Sequence, residues 1–221
     1  MRRNVMRLQT EREKIVKYLN LLLEKGLTKG TGGNISIYNE KEGLVAISPS
    51  SVAYHTMEME DVFVVDLEGN IIEGNPKYRP SSEIEMHLKM YRERKDIRAF
   101  IHTHAIYCTT ISCLRESLRA VDYMIAIAGT HEIKCAEYAM FGTEELAQNA
   151  FEAMRGAKAC LLANHGVNVG AEDIENAFAI TEYVEFCAEL YVKAKSIGEP
   201  VILSKEEIEK HIMKFGSYCK V

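Results

Sequence analysis

A single mixed α/β domain, with helices laid over a sheet, is the fold class this sequence predicts. Three observations carry it. Helical and strand-like apolar periods succeed one another along the chain. No internal repeat and no Gly/Pro/Ser-rich linker divides residues 1–221. A chain of 221 residues with 47% apolar and 27% charged residues is also large enough to bury one sizeable core.

The first element is a helix over about residues 10–25, where Ile15, Val16, Tyr18, Leu19, Leu22 and Leu23 recur at helical spacing before Gly26 stops it. From Asn34 to Gly74 the period shortens. NISIY, LVAIS, VFVVD and IIEG read as strands, with Leu67-Glu68-Gly69-Asn70 as a hairpin turn. A polar, proline-bearing loop then delivers Ser81 and Ser82, the expected caps of a helix running to about Arg94. AFIHTH follows as a strand, and a helix begins near Ala105. In the less regular middle, YMIAIAG and EIKCAEYA are expected to be strand-like. Thr143 caps a helix through Arg155, and ACLLANHGVNVG reads as a buried strand with a hairpin-like end. A long helix covers about residues 172–197, and a last amphipathic helix starts at Ser204.

Charge narrows the partners. The formal net charge is −5, and lysines and arginines are interspersed with acids instead of forming a stripe, which argues against duplex nucleic acid as the main ligand. An anionic substrate must then be met by a local site. No segment approaches the roughly 20 apolar residues of a membrane span, and the basic start, MRRNVMRLQTEREK, lacks the apolar stretch of a signal peptide. The six cysteines, Cys108, Cys113, Cys135, Cys160, Cys187 and Cys219, form no C-x-x-C pair, so they are expected as reduced thiols of a cytoplasmic protein.

Chemistry concentrates at a few positions. His102 and His104 stand one residue apart at a strand end, where a period of two turns both imidazoles to one face, within reach of one ion. The pair alone is weak. His165 strengthens it, because Asn164-His165-Gly166 interrupts an apolar strand in which a partnerless histidine would be costly; a satisfied structural histidine is the competing reading. Three neutral imidazoles with an open fourth position suit a catalytic metal better than a closed structural site. Glu83, after two serines in the expected first turn of a helix, is a candidate acid or base and equally a candidate for helix-dipole stabilisation. His87, four residues on, reads as packing or support, not as a further ligand. Thr31-Gly32-Gly33-Asn34, Ser48-Pro49-Ser50-Ser51 and Ser81-Ser82 supply neutral donors suited to a single phosphate, although each can also be an ordinary turn.

Taken together, KGTGGNIS, ISPSS, PSSEIEMH, IHTHAIYCT, VDYMIAIAG, FGTEEL and LLANHGV resemble the zinc-dependent class II aldolases of the L-fuculose-1-phosphate type, from end to end. The resemblance implies a three-layer α/β/α sandwich around a largely antiparallel mixed sheet. It implies one zinc ion per subunit, with manganese, cobalt or iron as alternatives the ligands do not exclude, held by His102, His104 and His165 with Glu83 as a carboxylate that can leave the metal and act as base. A phosphate pocket from Thr31, Asn34, Ser50, Ser51, Ser81 and Ser82 follows from it, as does a homotetramer with active sites at subunit interfaces. Tyr123 would reach across from a neighbouring subunit to serve the aldehyde oxygen, and Tyr218 would close over the substrate. The implied reaction is reversible cleavage of a ketose 1-phosphate, L-fuculose 1-phosphate in this type, to dihydroxyacetone phosphate and lactaldehyde through an enediolate that the metal stabilises. Ser51 departs from the pattern, since such aldolases commonly carry glycine there.

Three rivals share parts of this pattern. An L-ribulose-5-phosphate 4-epimerase resembles it but typically carries aspartate after the two serines, where this chain has Glu83. A methylthioribulose-1-phosphate dehydratase shares the histidines. An adducin-head-like interaction module resembles the fold but lacks the metal ligands.

Overall fold

The computed structural model describes residues 6–218, with side chains through residue 216. Helix α1 (Gln9–Glu24) leads into strands β1 (Asn34–Asn39), β2 (Leu44–Ile47), β3 (Phe63–Val65) and β4 (Ile71–Glu73). Helix α2 (Ile84–Glu93), strand β5 (Ala99–Thr103) and helix α3 (Ile106–Ser112) follow. Short strands β6 (Leu118–Arg119), β7 (Glu132–Ile133) and β8 (Cys135–Ala136) precede α4 (Glu144–Ala153), β9 (Ala159–Leu162), β10 (Gly166–Ala171), α5 (Ile174–Ile197) and α6 (Lys205–Tyr218).

Eight strands form one sheet in the order β4-β3-β2-β1-β5-β10-β9-β8. Every pairing is antiparallel except β8 with β9. Because side chains alternate along each strand, the sheet buries two separate apolar faces. Ile35, Ala99, Ile101, Val167 and Val169 join α1, α3 and α5 in one core. Val45, Ile47, Phe100 and Leu162 join α2 and α4 in the other. The result is the three-layer α/β/α sandwich with a largely antiparallel mixed sheet, as the resemblance implies.

Local chemistry sets several boundaries. Thr143 accepts from the Leu146 N–H at 3.2 Å and Asp173 from the Asn176 N–H at 2.7 Å, starting α4 and α5. Ser204 and Glu207 exchange side-chain and backbone bonds in a capping box that opens α6. None of the described helices is long and apolar enough to cross a membrane. Cys108, Cys113, Cys135, Cys160 and Cys187 are free thiols, while Cys219 lies outside the described residues.

Two local expectations differ from what is found. Residues Tyr123–Ala128 form a 3₁₀ helix, not a strand. A short apolar run has no period that distinguishes the two, and here the Asp122 carboxylate, accepting from the Met124 N–H at 2.8 Å, turns the chain. Ser81 and Ser82 also do not occupy the cap position of α2. That position is Glu83, whose carboxylate makes no capping bond; Ser81 Oγ takes the Glu83 N–H at 3.3 Å instead.

Candidate metal centre and active-site cleft

Strand register builds the centre. Asn34 on β1 lies opposite His102 on β5, and His102 lies opposite Asn168 on β10. With a period of two, these polar residues and Ser36 fall on the sheet face that carries Phe100, toward α2. His104 comes one residue after β5 ends, and His165 sits in the tight turn between β9 and β10. Asn164 enters that turn with a left-handed φ of 53°. Gly166 leaves it, and a Cβ there would stand 2.5 Å from the Thr103 carbonyl oxygen and 3.3 Å from His102 Cε1, so only glycine lets β10 pass the imidazoles.

The three imidazoles converge, with ring centroids 4.7 to 5.1 Å apart and one nitrogen from each within 4.8 Å of the others. His102 Nε2 lies 3.1 Å from His104 Nε2. Glu83 reaches in from the start of α2, its Oε2 3.5 Å from His102 Nε2 and its Oε1 3.4 Å from His165 Nε2. Two donors on one tetrahedral ion, each about 2.1 Å from it, stand about 3.4 Å apart. Oε1 of Glu83 is buried with no hydrogen-bond partner, an orphaned acceptor that a cation would satisfy. The donor set therefore fits a divalent metal. Behind it, Asn168 Oδ1 stands 2.9 Å from His102 Nδ1; an amide oxygen can only accept, so Nδ1 carries the proton and Nε2 keeps its lone pair for the centre.

Electrostatics agrees with the geometry. Burial lowers the pKa of His102 and His104, and burial together with His102 lowers His165 to about 4, so all three rings are neutral donors near pH 7. For Glu83, burial pushes upward, but His102, His165 and the Asn34 amide outweigh it and hold the carboxyl below its ordinary value. An anionic carboxylate beside three neutral imidazoles is an arrangement that suits a cation.

A cleft of about 410 Å³ opens beside the centre and gathers Thr31, Asn34, Ser50, Ser51, Ser81 and Ser82 along with Glu83, His104 and His165. The loops carrying the serines are stitched together, with Ser50 N–H donating to Arg79 O at 2.8 Å and Ser81 N–H to Ser48 O at 3.0 Å. Tyr54 fastens the glycine-rich turn, its hydroxyl accepting from Gly33 N–H at 2.9 Å and donating to Gly33 O. Ser51 has φ of 60°, in the left-handed region. That conformation is the physical reason glycine suits the position.

Tyr123 does not line the cleft of its own chain. Tyr123 is half-exposed and packs its ring against His211, centroids 4.9 Å apart and planes tilted by 35°. Tyr218 ends α6, and its side chain lies outside the described residues. Residues the sequence reading passed over are Asn168, signalled only as a polar residue within the apolar GVNVG strand, and Asn164, Tyr138 and Phe141, which line the cleft and carried no chemical signature.

The profile of the class II aldolase and adducin N-terminal domain matches residues 13–192. The chain belongs to this family. A relative from Bacillus thuringiensis serovar kurstaki, 5-deoxy-D-ribulose 1-phosphate aldolase, is 52% identical over 213 residues, spanning 96% of this chain and 99% of the relative. The L-fuculose phosphate aldolase of Escherichia coli K12 is 38% identical over 194 residues, spanning 87% and 88%. Among solved structures, an L-fuculose 1-phosphate aldolase superposes with a TM-score of 0.93 at 47% identity, covering 97% of this chain and all of that one. Class II aldolases are metal-dependent, and His102, His104 and His165 of this chain converge as a group that could hold one ion.

Proposed function

We propose that this aldolase cleaves a terminally deoxygenated ketose 1-phosphate between C3 and C4, giving dihydroxyacetone phosphate and a short aldehyde. The carrying observation is a cleft of neutral hydroxyl and amide donors opening directly onto the Glu83–histidine cluster. L-fuculose 1-phosphate and 5-deoxyribulose 1-phosphate, the substrates in the relatives' names, share carbons 1 to 3 and a terminal methyl. Identity to the deoxyribulose enzyme, 52% against 47% and 38% for two L-fuculose phosphate aldolases, favours the shorter sugar, with acetaldehyde as the aldehyde in place of lactaldehyde.

Under this reading Thr31, Asn34, Ser50, Ser51, Ser81 and Ser82 bind the phosphate through neutral donors. His102, His104, His165 and Glu83 hold one divalent ion, zinc by the preference of histidine-rich open sites. That ion supplies Lewis-acid withdrawal of charge from the ketone. In cleavage the C4 hydroxyl loses its proton, the C3–C4 electron pair moves toward C2, and C3 takes up a proton. Glu83 handles the proton at C3. Tyr123, exposed on its own chain, serves the C4 oxygen of a neighbouring subunit's substrate within a homotetramer, and Tyr218 closes the site. Free thiols support a cytoplasmic setting.

The test is a panel of ketose 1-phosphates and pentulose 5-phosphates, monitored for dihydroxyacetone phosphate, for epimerised sugar and for loss of water. The proposal expects dihydroxyacetone phosphate from 5-deoxyribulose 1-phosphate, at a higher kcat/KM than from L-fuculose 1-phosphate. Epimerised or dehydrated product without dihydroxyacetone phosphate overturns it.

A further inference from the structure

We infer that His87 is a positioning residue whose imidazole, held as the neutral Nε2–H tautomer, decides which end of the Asn34 amide faces Glu83. Four bonds on the sheet's α2 side form one chain. Asn34 Nδ2 donates to Glu83 Oε2 at 2.9 Å. Asn34 Oδ1 meets His87 Nε2. His87 Nδ1 lies 2.7 Å from Ser36 Oγ, which lies 2.6 Å from the Tyr91 hydroxyl.

Chemistry allows a single sense through this chain. An ionised carboxylate only accepts, so the Asn34 NH2 must face it and Asn34 Oδ1 must face His87. That oxygen also only accepts, so His87 Nε2 carries the proton and Nδ1 the lone pair. The Ser36 hydroxyl then donates to Nδ1 and its oxygen accepts from Tyr91. A reversed Asn34 amide would set an oxygen against the carboxylate and an NH2 against Nε2–H, two like contacts in a water-poor site.

Burial makes the arrangement rigid. Ser36 and His87 are fully enclosed, and Tyr91 and Asn34 nearly so. The His87 ring also stands edge-on to Phe100, centroids 4.8 Å apart. Burial is the main cause that takes the His87 pKa down to about 3 and the Tyr91 pKa far up, so both are neutral at any working pH. Glu83, His87 and Tyr91 follow one another at intervals of four residues, so a single face of α2 delivers them.

The tautomer is measured on wild-type protein labelled with ¹⁵N-histidine, both zinc-loaded and after chelation. His87 should give the Nε2–H pattern unchanged from pH 5 to pH 8; an Nδ1–H pattern, or exchange between the two, overturns the inference. The second arm compares His87→Leu with His87→Gln, whose amide can still donate to Asn34 Oδ1. His87→Leu should lower kcat by roughly 10-fold, with KM and bound metal within about two-fold of wild type. His87→Gln should recover most of that loss. Equal impairment of the two variants, or full activity of His87→Leu, overturns the inference; if either variant fails to fold, the tautomer decides. This kinetic arm rests on the proposed role of Glu83, whereas the tautomer does not. An Nε2–H tautomer in a protein whose Glu83→Gln variant is fully active would sink the base assignment and leave the positioning chain standing.

Discussion

His102 and Asn168 face each other across neighbouring strands, with Nδ1 of the ring donating to the amide oxygen at 2.9 Å. The bond fixes the tautomer that exposes the Nε2 lone pair to His104 and Glu83, and it stops the ring from turning. Replacing Asn168 with Leu should therefore weaken metal retention by about 10- to 100-fold in a competition with a chelator. Unchanged retention would show that packing alone orients the ring.

Glu83 is buried, ionised and within 3.5 Å of two imidazole nitrogens. Glu83→Gln preserves shape and removes the base. Turnover should fall by about 10²-fold or more, while calorimetry still detects binding of the ketose phosphate. A variant with full turnover excludes Glu83 as the base.

The folded-state pKa of His87, about 3, lies below the ordinary histidine value of 6.5, so the unfolded chain binds the extra proton. Unfolded chain is favoured wherever it binds more protons, so stability present above pH 6.5 is lost as pH falls toward 3. One such proton gives a slope of about 1.4 kcal/mol per pH unit. In urea unfolding of chelated protein between pH 4 and 6, His87→Gln should flatten the slope by about that amount. An identical slope in the variant would mean that His87 is already protonated in the fold.

Ser51 holds a left-handed backbone at φ 60°. Ser51→Gly relieves the clash of its Cβ but loosens the unfolded chain, so a net gain of up to about 1 kcal/mol is expected in the same assay. A destabilised Ser51→Gly variant would mean that the hydroxyl makes a compensating contact.

At Gly166 the opposite holds. A Cβ there has 2.5 Å to the Thr103 carbonyl oxygen and 3.0 Å to His104 Cδ2. Gly166→Ala must push β10 from β5 and should cost about 2 kcal/mol or more, with loss of bound metal. A variant that keeps both its stability and its metal would show that the strand pair yields without disturbing the histidines.

The fold class was legible because most elements carry their own signal. The helical spacing in α1, the Thr143 cap and the strand-like run of β1 are each written in a few neighbouring residues. Where the signal is only an apolar run, as in Tyr123–Ala128, the sequence is silent between strand and helix, and one aspartate decided it.

Residue identity and spacing marked the groups that have the chemistry: His102 and His104 at a strand end, His165 between asparagine and glycine, Glu83 behind two serines, and three loops of neutral donors. Register decided how they meet. Only the pairing of β1, β5 and β10 sets Asn34, His102 and Asn168 side by side, and only the packing of α2 on that face brings Glu83 and His87 to them. The physical reason is distance along the chain. Asn34 is 53 residues from His87, and His102 is 66 from Asn168, so no local period links either pair. Burial then completed the candidate metal centre, keeping the imidazoles neutral and leaving one carboxylate oxygen without a hydrogen-bond partner.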